Sequence, residues 1–188
     1  MDRLELKARE EGRPSKIVGH AAVFDSVAGP AWFREKIAPG AFAQSIKDDD
    51  VRALLNHDPN MILGRTRAGT LSLREDDKGL YMEIDPPDTQ LGRDLMVSIG
   101  RGDISHASFA FQTVEEEIED TDDGEVRIIK RAKLYDVSPV TYPFYEVTDV
   151  SLRGMEAVRL RKEKAEKDQA QKHKIANRRR RLKLQHRQ

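Results

Sequence analysis

Apolar and polar residues alternate along much of the first 150 positions, and a period of two marks strands with one buried face. Leu4-Glu5-Leu6-Lys7-Ala8 is the first such run and Lys16 to Phe24 the second; the turn-forming stretch Glu11 to Ser15 between them predicts a hairpin. Gly19 inside the second run predicts a bulge or a close backbone approach. After a loop over 25–30, Trp32 to Ile37 reads as a short strand, and Ala38-Pro39-Gly40 turns into a short helix whose Phe42 and Ile46 share a face. Val51 to Leu55 is a strand, Asp58-Pro59-Asn60 a turn, and Met61 to Thr66 extended. Thr70 to Glu75 and Leu80 to Asp85 flank Asp76-Asp77-Lys78-Gly79 and predict a second hairpin.

The helical period stands out over residues 90–100. Leu91, Leu95, Met96 and Ile99 predict a helix from Gln90 to Gly100, capped by Asp88 or Thr89 and closed by Gly100 and Gly102. Alternation resumes over Ile104 to Val114, breaks at an acidic tip (115–124), and returns in Val126 to Ile129 and Arg131 to Val137. Ser138 to Pro143 is extended, and its two prolines suit a sheet edge. Val147 to Leu152 is the last short piece. Eight or nine strands with two peripheral helices predict a mainly β (α+β) fold over residues 1–152, as a closed or nearly closed β-barrel.

Charge divides the chain. Its 33 basic and 33 acidic residues cancel, but residues 153–188 hold fourteen Lys and Arg against four Asp and Glu, leaving an acidic body and a basic tail. The tail is poor in apolar residues and reads as a solvated helix fraying into disorder. Arg178 to Arg181 suit an acidic scaffold or a nucleic acid. The absence of cysteine excludes disulfides, thiolate zinc sites and a cysteine nucleophile. No membrane span is expected, and Met1 to Glu11 lacks the apolar core of a secretory signal, so an intracellular site of action is expected.

No P-loop, His-Glu-x-x-His or Gly-x-Ser-x-Gly motif occurs, which argues against a P-loop nucleotide site, a zincin or an α/β-hydrolase. What remains is a histidine at the end of an apolar strand, in Leu54-Leu55-Asn56-His57-Asp58, and a hydroxyl inside another, in Ala107-Ser108-Phe109-Ala110-Phe111. A serine hydrolase needs both: a hydroxyl that attacks and an imidazole that takes its proton. His20 is a rival imidazole, on a strand where a structural hydrogen bond is the simpler role.

Several segments, in order, resemble the HK97-type prohead proteases of tailed phages. They are Gly19 to Phe24, Ile37 to Phe42, Leu55 to Asp58, Gly64-Arg65-Thr66, Gly79-Leu80, Pro87-Asp88-Thr89, Arg101 to Ile104, Ser108 to Phe111 and Leu134 to Pro143. The resemblance implies a serine endopeptidase that acts inside the assembling procapsid in the host cytoplasm. It would trim the scaffold segment of the major capsid protein and cleave itself, without a cofactor or metal. It also implies the β-barrel of herpesvirus assemblins.

Carried over by motif, Ser108 matches the nucleophile and His57 the general base. For the group that holds the imidazole, Glu83 is favoured, with Asp136 and Asp85 as rivals; assemblins use a second histidine there, and His106 is the histidine nearest Ser108 in sequence. The Arg101-Gly102 turn is the expected source of oxyanion donors, with Arg65 as another candidate. Ala110 departs from the family, many of whose members carry Gly there. The competing readings are a non-enzymatic capsid scaffold or assembly protein, and a nucleic-acid binder acting through the basic tail; a homo-oligomer is compatible with any of them.

Overall fold

The structure is a computed structural model and describes residues 3–7, 16–29 and 33–143. The short piece over 147–152 and the basic tail lie outside the described residues. Among those described, the fold is mainly β, with nine strands and two helices.

The first sheet is antiparallel, in the order β1 (Glu5–Lys7), β2 (Lys16–Val23), β7 (Gly79–Ile84), β6 (Leu71–Glu75). The hairpin of β6 and β7 forms where alternation and the Asp76 to Gly79 turn place it. Gly79 is required there, because a Cβ would lie 2.0 Å from the Ala22 carbonyl oxygen. The irregularity expected at Gly19 falls slightly later, as a register shift between His20 and Ala22.

The second sheet is organised by β9 (Gly124–Val140). One edge of β9 carries β8 (His106–Thr121) antiparallel along its length. The other edge carries β3 (Glu35–Ile37) at residues 127–129 and β4 (Arg52–Leu55) at 136–137, both parallel. Strand β5 (Asp58–Arg65) pairs antiparallel with β4. Three expectations are corrected here. The return strand is one continuous element rather than three pieces, because β8 supports it throughout. The stretch over 58–60 is the start of β5, not a turn. Pro139 does not sit at an edge: it is fully buried opposite Ala107, and its carbonyl accepts the Asn56 N–H at 3.0 Å. A proline fits because that neighbour asks it only for an acceptor.

Both sheets contribute to one apolar cluster, with Ile17, Leu80, Met82 and Ile84 from the first and Phe109, Leu134 and Val137 from the second. Phe42, fully buried, joins them: its ring meets Phe109 edge-on at 5.5 Å and Phe24 at 6.4 Å. Phe42 directly precedes α1 (Ala43–Asp48). The longer helix α2 (Gln90–Arg101) matches the periodic pattern: Leu95 and Ile99 are buried, Thr89 Oγ1 accepts the Gly92 N–H, and Gly102 closes it with φ of 85°.

Candidate active site

Strands β4 and β5 are joined by Asn56 and His57 alone, with Leu55 opposite Asp58. Both linking residues have positive φ, 54° and 59°, as a type I′ hairpin turn demands. Asn tolerates this region because its short amide can bond locally; His does so at a cost. The turn is fastened to the end of β9. Asn56 Oδ1 accepts the Thr141 N–H at 2.9 Å, and its Nδ2 donates to Thr141 Oγ1 at 3.3 Å.

This fastening brings His57 to Asp136. The imidazole Nδ1 lies 2.6 Å from Asp136 Oδ1, and the pair is partly buried, the Asp136 side chain at 11% exposure and that of His57 at 35%. The same Oδ1 accepts the Ser138 hydroxyl at 2.7 Å. Arg52 is opposite Asp136 in the β4–β9 ladder, but its guanidinium turns to Asp50 at 3.3 Å. The side-chain partners of Asp136 are therefore His57 and Ser138.

Ser108 is buried on β8, directly opposite Ser138 on β9, with Ala110 opposite Asp136. Residues two apart on a strand share a face, and so do directly opposed residues. Ser108, Ala110, Ser138 and Asp136 thus occupy one face of this sheet. A ladder shift just beyond leaves Tyr135 as an extra residue on β9, the kind of bulge that re-aims neighbouring side chains beside a site.

The other expected site residues lie elsewhere. Glu83, the favoured third member, is on β7 in the first sheet, where Lys16 bonds its carboxylate and Lys7 lies 3.5 Å away. The Lys16 bond holds its pKa below the usual range, although burial works the other way. Its fixed partners are lysines, whereas the imidazole Nδ1 bonds Asp136. Asp85 follows β7, its N–H bonded to the Thr70 carbonyl at 2.8 Å. The Gly102 N–H closes α2 on the Ile99 carbonyl at 2.9 Å, and Arg101 Nε bonds Asp103 at 2.8 Å. Arg65 Nε contacts both carboxylate oxygens of Asp50, at 2.9 and 3.0 Å. All three expected oxyanion sources thus have partners of their own. His106 pairs with Val140, and its Nδ1 is 3.2 Å from Ser105 Oγ.

His20 forms a second histidine–carboxylate pair, 2.9 Å from Asp76 Oδ1. Burial tends to raise the Asp76 pKa, but the His20 bond and the Lys78 and Gly79 N–H groups outweigh it and hold it at about 2. That carboxylate closes the β6–β7 turn, so the pair is tied to hairpin structure.

Ser138, on the same face as Ser108 and bonded to Asp136, was not singled out from the sequence. Alternation alone places Asp136 and Ser138 on one face of a strand, but their proximity to His57 depends on the parallel partner β4.

The family model described as Caudovirus prohead serine protease matches residues 2–161. The chain belongs to that family. It is a serine protease of prohead maturation, and the family implies a place within the phage prohead. No curated protein and no solved structure matched the chain. Among the described residues, no helix is long and apolar enough to cross a membrane.

Proposed function

We propose that this prohead protease works through Ser108 as nucleophile, His57 as general base and Asp136, rather than Glu83, as the carboxylate that orients the imidazole. The observation that carries this reading is the 2.6 Å contact between His57 Nδ1 and Asp136 Oδ1, on the strand directly paired with that of Ser108. An N–H on Nδ1 donating to Asp136 leaves Nε2 with its lone pair, the state a general base needs. As Ser108 Oγ adds to the scissile carbonyl, Nε2 takes its proton and Asp136 stabilises the imidazolium. The proton then passes to the leaving amine. Water repeats the sequence on the acyl-enzyme and frees Ser108.

The substrate of this reading is the scaffold segment of the major capsid protein, together with the protease chain itself. The basic tail (153–188) tethers the enzyme to an acidic scaffold. The two sheets are read as halves of a nearly closed barrel of the assemblin type. Support comes from three links: the Leu4 N–H to Ser105 carbonyl bond at 2.9 Å, the Phe24–Ile37 bridge, and the shared core.

The test is co-expression with the capsid protein, wild type beside Ser108→Ala, followed by intact mass of both chains. Wild type should shorten the capsid protein or itself, and Ser108→Ala should not. Identical masses in assembled particles would remove the assignment of Ser108.

A further inference from the structure

We propose that Ser138 is a positioning residue of this protease: its hydroxyl fixes the Asp136 carboxylate that in turn holds His57. The inference rests on the Ser108–His57–Asp136 reading and adds a fourth member to it. Three observations carry it. Ser138 is fully buried, so its hydroxyl is held inside the sheet rather than bonded to solvent. Its Oγ donates to Asp136 Oδ1 at 2.7 Å, the same oxygen that His57 Nδ1 approaches at 2.6 Å. And it stands directly opposite Ser108, so the nucleophile and this support share one cross-strand pair.

The geometry separates the two serines. A hydroxyl has one proton, and that of Ser138 is directed to the carboxylate, not to an imidazole nitrogen. Ser138 is therefore not a second nucleophile. Its effect is on Asp136. A carboxylate in a partly buried site with one donor can rotate about its Cβ–Cγ bond. A second donor on the same oxygen selects one orientation of the carboxylate. A bond of this charge-assisted kind is strong enough that losing it slows the chemical step about ten-fold.

Diisopropyl fluorophosphate tests this on the full-length chain without a known substrate. The Ser108 Oγ–P bond forms, the P–F bond breaks, fluoride leaves and the hydroxyl proton passes to His57. Intact mass follows the adduct. Ser138→Ala should label about ten-fold more slowly than wild type. Ser138→Thr keeps the hydroxyl on a residue suited to a strand and should restore the rate to within about two-fold. Ser108→Ala should not label.

A second readout needs no reaction. In a Ser108→Ala background, the low-field proton resonance of the His57 Nδ1–H···Asp136 bond should move on Ser138→Ala and return on Ser138→Thr. A merely structural role would not move it. If Ser138→Ala does not fold, Ser138→Cys, similar in shape but a weak donor, replaces it with the same expected outcome.

Labelling of Ser138→Ala at the wild-type rate overturns the proposal, whatever the resonance does. So does slow labelling that Thr fails to restore while the resonance stays in place. A wild-type chain that does not label, or a Ser108→Ala chain that labels equally fast, overturns the underlying assignment of Ser108 instead. The His57 resonance then decides the role of Ser138 by itself.

Discussion

His57 and Asp136 stand 79 residues apart in the chain and 2.6 Å apart at Nδ1 and Oδ1. Two strands of one sheet bring them together, β4 ending just before His57 and β9 carrying Asp136 as its parallel neighbour. The contact separates Asp136 from Glu83 by geometry, and activity can separate them by experiment.

Asp136→Asn keeps the shape of the side chain but offers an amide where the imidazole needs a carboxylate. The cleavage rate should fall by about three to four orders of magnitude, the scale expected when an orienting aspartate loses its charge. Glu83→Gln should leave the cleavage rate within about two-fold, because its partners are Lys16 and Lys7; loss of partly exposed ion pairs should cost at most about 1 kcal/mol of stability. Equal losses from both substitutions would refute the assignment of Asp136.

The turn that presents His57 holds it at a φ of 59°, where a side chain is disfavoured and glycine is not. His57→Ala and His57→Gly both remove the imidazole and its bond to Asp136, so both should be inactive. They differ in backbone cost. His57→Gly should be the more stable by about 1 kcal/mol in urea unfolding, as expected for a left-handed position. A more stable alanine variant would show that the positive φ is not kept in solution.

Acid should weaken the fold at a second place. Asp76 has its pKa depressed to about 2, so its stabilising contribution is full above the unfolded value, near pH 4, and is lost as pH falls through about 2. Asp50, held at about 2 chiefly by Arg65, acts in the same window and in the same direction. Asp76→Asn should therefore flatten the decline of urea midpoints between about pH 4 and pH 2 and lower the midpoint at pH 7. An unchanged slope in that interval would rule out the His20–Asp76 pair as a source of acid lability.

Where structure depends on near neighbours in sequence, it was legible. The β6–β7 hairpin follows from alternation around Asp76 to Gly79, and α2 from its four apolar positions, its Thr89 cap and Gly102. Ser108 and His57 stand out as a hydroxyl and an imidazole in apolar strands, but the roles proposed for them come from the resemblance, since each fragment alone is an ordinary strand segment. The turn at Asn56-His57 escaped because histidine carries no left-handed turn signal, while Asp58-Pro59-Asn60 carries a strong one. Pro139 was read as an edge residue because its missing N–H is visible in sequence, while a neighbour that needs only its carbonyl is not. Glu83 and Asp136 both lie in alternating strands with apolar neighbours. Only the pairing of β4 with β9 distinguishes them, and residue pattern does not encode which distant strand a parallel partner will be.

That pairing also sets an order of events during synthesis. Strands β3, β4 and β8 all attach to β9, which leaves the ribosome after them. Until Asp136 and Ser138 have emerged, His57 has no carboxylate to hold it, and the strand carrying Ser108 lacks its partner. On the proposed Ser108–His57–Asp136 assignment, a nascent chain with every earlier strand complete should still be inactive. The last long strand to be made is thus the one that completes the arrangement around His57.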